Sequence, residues 1–199
     1  MTVFRTGATA YRFIKPKYIV ATLFTGNETD EDKPLGDSYI IEDVIEDTTS
    51  IAQDDNEKTN IECETSDSPV KVIVKNGKWN INAEIGDTQS MLLKALCGYT
   101  IDETRKRSYA PSTYKEMYIK FDVVFDDNEG NLVAYVVPRV QLDSKMTIES
   151  LNSNLGRIAL GGTANDTTFT VGEGASAKTI LSPFYQDENY TLPTETTGS

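Results

Sequence analysis

Residues 117–140 read MYIKFDVVFDDNEGNLVAYVVPRV, and this stretch decides the fold. Apolar side chains occupy every second position of 117–125 and alternate with a set that includes Lys120 and Asp122, the period-two pattern of a half-buried strand. The hexapeptide DDNEGN (126–131) then supplies the Asp, Asn and Gly residues that tight turns use. The apolar run LVAYVVPRV follows at once, so the sequence predicts an antiparallel hairpin.

Residues 70–85, VKVIVKNGKWNINAEI, repeat this pattern earlier in the chain. Apolar residues alternate from Val70 to Val74 and again from Trp79 to Ile85. Asn76-Gly77 lies between the two runs, and Asn-Gly readily adopts the positive φ angles of a two-residue hairpin turn. The sequence therefore predicts a second hairpin here.

The segment GDTQSMLLKALCG (86–98) has the spacing of a helix instead. Met91, Leu92, Ala95 and Leu96 form one broad apolar face, and Gly98 suits the left-handed position after a helix end. We expect one flanking helix over about residues 88–97, packed on a sheet.

The remaining strands and loops complete a mainly β fold of the β-sandwich or barrel type with long loops. Residues 98–113 are expected to form a long loop. Further strands are predicted at 17–24, 38–45, 59–65, 145–151, 156–164, 167–171 and 178–181. The predicted organisation is an N-terminal arm (1–16), a single domain (17–185) and a mobile C-terminal tail (186–199).

The charge of the chain is concentrated in one segment. The chain has 199 residues and a net charge of −12. Between Asn27 and Asp67 we count 15 acidic residues against two Lys, which leaves 16 acidic and 17 basic residues elsewhere. This acidic segment (27–67) creates a local negative field, and such a field usually serves a function or faces an oppositely charged partner.

The residue inventory argues against catalysis. The chain has no histidine, so the commonest general base and zinc ligand is absent. Its two cysteines, Cys63 and Cys97, are too few for a disulfide framework and fit a reducing compartment. We expect no enzyme activity, no metal, no cofactor and no membrane span, in a chain made in the cytoplasm.

Three local clusters have both a functional and a plainer interpretation. The DDNEGN turn lacks the Gly and Glu that an EF-hand loop needs at its sixth and twelfth positions, so a hairpin turn is favoured. The group Asp54, Asp55 and Glu57 suits a cation or acid–base pair, but an acidic loop is more often solvated. The run Arg105-Lys106-Arg107 suits phosphate, but a surface salt bridge is favoured.

The order of several motifs resembles the major tail-tube proteins of tailed bacteriophages, above all those of long non-contractile tails. The resemblance spans roughly residues 38–165 and departs at both ends of the chain. It rests on IIEDVIEDTTSIAQDDNE, IECETSDSPV, GKWNINAEIGDTQSMLLKALCGYT, DVVFDDNEGNLVAYVVPR and GTAND.

The resemblance implies a structural virion protein. Such proteins form hexameric rings that stack into a hollow tube, the conduit for double-stranded DNA ejection. The implied partners are copies of the chain itself, the tape measure, tail terminator and distal tail proteins, and DNA that passes without sticking. The implied location is the virion tail, after synthesis in the host cytoplasm.

Charged residues then acquire two candidate roles. The acidic ones would line the lumen, where they keep DNA from adhering, or meet basic side chains of a neighbouring subunit. The candidate acidic residues are Asp54, Asp55, Glu57, Glu62 and Glu64. The candidate inter-subunit basic residues are Arg5, Arg12, Arg105, Lys106 and Arg107.

Three rival functions remain at the level of sequence. An inner-tube protein of a contractile tail or secretion machine shares the ring-forming fold. A carbohydrate-binding β-sandwich would show exposed aromatic residues on one face, whereas Trp79 is the only Trp and lies in the apolar phase of its strand. A carboxylate-based glycosidase needs two carboxyls across a cleft.

Overall fold

A computed structural model describes residues 16–24, 35–63, 66–86, 89–113, 116–127, 130–143, 145–147 and 156–194. Most of the predicted arm, including Arg5 and Arg12, lies outside these ranges, as does Glu64.

The described part of the chain contains fifteen strands, one α-helix and one 3-10 helix (Gly174–Ser176). The helix is α1 (Ser90–Cys97). The strands are β1 (Tyr18–Phe24), β2 (Leu35–Ile41), β3 (Ser50–Gln53), β4 (Glu57–Cys63), β5 (Ser66–Lys75), β6 (Trp79–Ile85), β7 (Thr100–Asp102), β8 (Arg107–Tyr109), β9 (Met117–Asp126), β10 (Leu132–Leu142), β11 (Lys145–Thr147), β12 (Arg157–Ala164), β13 (Thr167–Val171), β14 (Lys178–Ser182) and β15 (Tyr185–Asp187). The predicted mainly β class with one short helix is confirmed.

Nine of the strands form one antiparallel main sheet. Its order is β2-β1-β9-β10-β12-β6-β3, with β11 added on β12 and β15 added on β10. Three separate two-stranded ribbons, β4–β5, β7–β8 and β13–β14, complete the described strands. The fold is therefore one large sheet with three small appendages.

The hairpin predicted over 117–140 is confirmed as β9–β10, at the centre of the main sheet. The ladder slips between Val137 and Val140, where β10 carries one extra residue in the Pro138-Arg139 stretch. Proline has no N–H to give to a ladder, so a bulge is one of the few places in a sheet that accepts it. Strand β10 pairs with β9 on one side throughout. On its other side, residues 134–136 before the bulge pair with β15 and residues 140–142 after it pair with β12.

The hairpin predicted over 70–85 is wrong. Strand β5 pairs with β4 in a separate ribbon, and β6 pairs with β12 and β3 in the main sheet. Gly77 does not adopt the positive φ that a tight Asn-Gly turn requires. It lies instead against the chain at Asp54, whose carbonyl oxygen would be 1.9 Å from a Cβ added at Gly77. Glycine is used here for close backbone approach, not for a turn.

The two faces of the main sheet bury separate apolar clusters. In β9, Phe121 and Val123 belong to the larger cluster, which strands from both ends of the sheet and helix α1 share. Val124 belongs to the smaller cluster on the opposite face, together with Val20 and Val136. The sheet thus curls around the larger core and covers the smaller one with other chain segments.

Helix α1 confirms the predicted helix, with its first residue at Ser90. Leu92, Ala95 and Leu96 of the predicted apolar face are buried against the larger core, together with Leu93. Met91 is 62% exposed, so its assignment to that face is wrong. Gly98 has φ 69° and donates its N–H to Leu93, the left-handed end that the sequence predicted.

The tail predicted to start at residue 186 is wrong for residues 186–194. Strand β15 pairs with β10, and Tyr190 and Leu192 pack on the smaller core. The Tyr190 N–H also donates to the Leu132 carbonyl at 3.1 Å. We call residues 185–194 the strap, because β15 pairs with β10 and the residues after it then cover the smaller core on the second face of the main sheet. Residues 195–199 lie outside the described ranges.

Candidate assembly surfaces

The main sheet ends in β2 and β3. Its two ends meet at one corner, because the segment that follows β2 bonds to β6: the Ile45 N–H donates to the Glu84 carbonyl and the Gly86 N–H donates to the Asp43 carbonyl, both at 2.9 Å. Within the described residues, β2 pairs only with β1 and β3 pairs only with β6. The outer side of each strand therefore presents backbone N–H and C=O groups to whatever lies next to it. On β3 the side chains of Ala52 and Gln53 are exposed as well. These two edges are the first candidate surfaces.

The β4–β5 ribbon exposes apolar side chains on both of its faces. Val72, Ile73 and Val74 are 48%, 38% and 52% exposed, although consecutive residues of a strand point to opposite sides. Its ladder also places Glu57 opposite Lys75. A two-stranded ribbon without a covering layer is marginally stable in water, so this one needs a partner surface.

The β13–β14 ribbon has the same character. Val171, Ile180 and Leu181 are 52%, 45% and 69% exposed. The ribbon is attached to the body through the edge-to-face contact of Phe169 with Tyr185 of the strap, whose ring centroids are 5.3 Å apart. Monomeric proteins normally expose apolar residues one at a time, whereas these two ribbons expose them in groups. The two ribbons are therefore candidate surfaces for contact with another chain.

The predicted acidic residues lie around the connection from β3 to β4. Asp54, Asp55 and Glu57 are all exposed. The Asp54 carboxylate accepts a hydrogen bond from the Asn80 side chain at 2.8 Å, which fixes its position beside β6. Glu62 falls within β4, and its side chain lies outside the described set. In the part of the chain that the structure describes, these carboxylates form no three-membered metal-binding cluster.

The predicted basic residues lie at the tip of the β7–β8 ribbon, which replaces the long loop expected for 98–113. The Asp102 carboxylate holds the turn, because it accepts the Arg105 backbone N–H at 3.0 Å and lies 3.6 Å from the Arg105 guanidinium. Lys106 takes a left-handed φ of 55°. Lys106 and Arg107 are exposed beside Arg105, so the ribbon is tipped with positive charge.

One buried polar site was missed from the sequence. Asp122 is 1% exposed on the second face of β9. One of its carboxylate oxygens accepts the Tyr190 hydroxyl at 2.7 Å and lies 3.5 Å from the Lys120 ammonium, while the other has no hydrogen-bond partner in the structure. Burial raises the pKa of Asp122 to about 6, and Lys120 and Tyr190 oppose this rise. Burial and the nearby Asp122 also raise the pKa of Tyr190.

The remaining predicted details concern Cys97 and the DDNEGN turn. Burial raises the pKa of the Cys97 thiol to about 11, which keeps it protonated and weakly nucleophilic. In the turn, the Asp127 carboxylate accepts the backbone N–H of Asn131 at 2.7 Å and its side-chain amide at 3.0 Å. Asp127 thus closes the hairpin in the way that the turn interpretation predicted.

Comparison with known proteins gives a similarity in structure but none in sequence. No protein-family model matches the chain, and no curated protein matches it. A chain in the cryo-EM structure of the anti-feeding prophage (AFP) baseplate, 6-fold symmetrised, aligns with a TM-score of 0.38 and 10% identity, over 94% of this chain and 100% of that one. At this score the two folds overlap only in part, and the similarity carries no argument about function.

The structure also bears on membrane insertion through helices. Among the described residues, no helix has the length and apolar character needed to cross a bilayer.

Proposed function

We propose that this chain is a structural, non-catalytic tail protein of a virion, which assembles with copies of itself into hexameric rings that stack into a DNA-conducting tube. The observation that carries the proposal is that, among the described strands, β2 pairs only with β1 and β3 pairs only with β6, so each has one unpaired side. Pairing the β3 edge of one copy with the β2 edge of the next is a heterologous contact, and such contacts generate rings when the rotation closes. Ring closure leaves no free edge.

The apolar ribbons supply a second kind of contact. Because Val72 and Val74 are about half exposed in the single chain, burying them against another copy contributes about 25 cal/mol per Å² of apolar surface. Ribbons that project from the sheet suit contacts between successive rings. The sheet edges then close each ring, and the ribbons join one ring to the next.

The charge distribution suits a conduit for DNA. Duplex DNA carries one negative charge per ~1.7 Å, and a basic lumen would bind it by counterion release. The exposed Asp54, Asp55 and Glu57 either keep the lumen free of such contacts or pair with the basic tip of β7–β8 on a neighbour. The sequence resemblance further suggests contacts with tape measure, tail terminator and distal tail proteins.

The decisive experiment combines sedimentation velocity over a range of concentrations with negative-stain electron microscopy. We expect monomers at low concentration and rings or tubes at high concentration. Uniform monomers throughout, together with a melting temperature that rises on addition of a sugar, would overturn the proposal in favour of the carbohydrate-binding module.

An edge variant tests the mechanism of closure. Ala52→Lys places a charge on the exposed side of β3, as natural proteins do to block edge pairing. We expect the monomer to stay folded and ring formation to need a higher protein concentration. Ser112→Lys, at an exposed position outside the strands, is the control and should assemble like the unmodified chain.

A further inference from the structure

The chain crosses from one face of the main sheet to the other as it enters the strap. Phe184 packs against the larger core, where its ring meets the Trp79 ring with centroids 4.7 Å apart. Tyr185, the next residue, packs on the smaller core on the opposite face. The Ser182 hydroxyl donates to the Phe184 carbonyl at 2.7 Å and fixes the chain just before the crossing. An opening of the strap can therefore pivot between Phe184 and Tyr185 and leave Phe184 in place.

The backbone bonds that hold the strap are fewer than those within the body of the sheet. Strand β15 pairs with β10 over three residues, Tyr185 to Asp187. Tyr190 adds its N–H bond to the Leu132 carbonyl at 3.1 Å. Strand β1, by contrast, pairs along its length with β2 on one side and β9 on the other. Segments with few backbone bonds open at a lower cost in free energy than central strands do, so the strap should open before the sheet unfolds.

The strap seals a carboxylate that has only part of the bonding it needs. Asp122 is 1% exposed, and one of its oxygens accepts the Tyr190 hydroxyl at 2.7 Å. The other oxygen is buried without a hydrogen-bond partner in the structure. A buried carboxylate with an unsatisfied oxygen is disfavoured in its charged form. Lifting the strap brings Asp122 into water, so a negative charge on Asp122 favours the open strap.

The groups around Asp122 compensate for its charge only in part. Its neighbours across the two ladders are apolar, Val20 in β1 and Val136 in β10. Burial raises the pKa of Asp122 to about 6, Lys120 and Tyr190 oppose this rise, and Asp187 adds to it. The titratable side chains on this face of the sheet include Tyr18 of β1, Lys120 of β9, Tyr185 and Asp187 of β15, and Tyr190.

We propose that the strap is a pH-sensitive cover, which opens between Phe184 and Tyr185 when Asp122 is ionised and closes when Asp122 is protonated. The closed chain holds the proton of Asp122 more tightly than the open chain, so closure is favoured as pH falls. With a pKa of about 6 when closed and the ordinary 3.8 when open, a rise from pH 5 to pH 7.5 should increase the open fraction about tenfold.

Opening has two structural consequences. It uncovers the apolar residues of the smaller core, Val20, Val124, Ala134 and Val136. It also breaks the contact of Tyr185 with Phe169, which attaches the β13–β14 ribbon to the body. The cover therefore controls how much apolar surface the single chain presents, and this inference does not rest on the proposed assembly.

Hydrogen exchange followed by mass spectrometry tests the proposal on the full chain, at a concentration where sedimentation shows monomer. Rates measured at pH 5 and pH 7.5 are corrected for the intrinsic pH dependence of exchange. We expect peptides from the strap to exchange faster than peptides from β1 and β9 at both pH values, because the strap opens while the sheet stays folded. The corrected strap rate should be about tenfold higher at pH 7.5 than at pH 5.

Two variants and one control assign the effect to Asp122. Asp122→Asn carries no charge at either pH, so it should slow strap exchange at pH 7.5 and remove the pH dependence. Tyr190→Phe removes the hydroxyl that supports the ionised carboxylate, so it should enlarge the ratio between the two pH values. Asp143→Asn, at an exposed position, should behave like the unmodified chain.

Two outcomes would overturn the proposal. Equal exchange rates for the strap and for β9 would mean that the strap opens only when the whole fold unfolds. A pH dependence of strap exchange that persists in Asp122→Asn would assign the response to another group. Neither outcome depends on whether the chain forms rings, so failure here is distinguishable from failure of the proposed function.

Discussion

Strands β9 and β5 are both ten residues long and both follow the alternating pattern, yet they lie in opposite surroundings. In β9 the residues Ile119, Phe121, Val123 and Val124 are at most 2% exposed, because neighbouring strands and two apolar layers enclose it. In β5 the apolar Val74 is 52% exposed. Alternation therefore predicts a strand but not how much of it is covered. Here β9 is buried on both faces by its own chain, whereas β5 exposes apolar side chains on both faces.

The largest effect should come from the enclosed strand. Phe121→Ala removes a fully buried ring and should lower the free energy of unfolding by about 3–5 kcal/mol. Val74→Ser, the matched change in the β4–β5 ribbon, should alter it by less than about 0.5 kcal/mol and should instead weaken assembly. Urea unfolding of the monomer measures the free energy of unfolding of both variants, and sedimentation measures their assembly. If Val74→Ser destabilised the monomer as much as Phe121→Ala does, the contrast between the two strands would collapse.

The 76–78 connection, which joins β5 to β6 of the main sheet, should affect the free energy of unfolding nearly as much. A Cβ at Gly77 would lie 1.9 Å from the Asp54 carbonyl oxygen, so the backbone must move in Gly77→Ala. We expect a loss of about 1–3 kcal/mol, the usual range for overpacking. Lys78→Ala, at the exposed next position, serves as the control and should stay close to the unmodified chain. Equal melting temperatures for the two variants would show that the 76–78 connection tolerates a shift.

The second face of the main sheet should respond to pH through Asp122. Its pKa is about 6 in the folded chain against 3.8 as its ordinary value, so the folded state holds the proton more tightly. Stability should therefore fall as pH rises from 4 through 6, and the full penalty should be present above about pH 6. Because the chain has no histidine, the usual cause of a stability change in this range is missing.

Asp122→Asn tests this directly by calorimetry at pH 7.5 and pH 5. We expect the variant to be more stable at pH 7.5, by about 1–3 kcal/mol, and to lose most of the pH dependence between the two conditions. Asp143→Asn, an exposed control, should behave like the unmodified chain. A variant that is less stable at pH 7.5 would mean that Lys120 and Tyr190 compensate fully for the buried charge.

The smallest effect on stability should come from the acidic residues of the periphery. Replacing Asp54, Asp55 and Glu57 by Asn, Asn and Gln removes three exposed charges with little change of shape. If they line the lumen, tubes should form normally and retain more DNA at low salt. If they meet the basic tip of β7–β8, assembly should weaken most at low salt, where screening is least. Unchanged assembly and unchanged DNA retention would leave the three residues as solvated surface.

Local pattern was sufficient for the centre of the fold and for the helix. The β9–β10 hairpin could be predicted because the two strands are adjacent in sequence and a turn sequence joins them. Helix α1 could be predicted because it has one apolar face and ends at Gly98. The partner of β5 could not be predicted in this way. Two alternating runs joined by Asn76-Gly77 are equally compatible with a hairpin and with two strands that belong to different sheets.

The strap and the buried Asp122 were beyond sequence reasoning for a related reason. Asp122 occupies the polar phase of β9, which normally faces water. It is buried because Tyr190, 68 residues later, lies over it. The strap itself is poor in apolar residues, and only its contacts with β10 and the smaller core distinguish it from a tail. Burial of a strand by a segment that is distant in sequence does not change the pattern of apolar residues along that strand.

The strap also fixes an order of events during synthesis. The strands that carry Val20, Val124 and Val136 all leave the ribosome before residues 185–192 do. Until those residues arrive, the second face of the main sheet stays uncovered and apolar, a state that favours association with other nascent chains. A chain truncated between β14 and β15 would therefore keep most of its larger core and still be adhesive. Emergence of Tyr190 from the ribosome converts the nascent domain from an adhesive species into one that is covered on both faces.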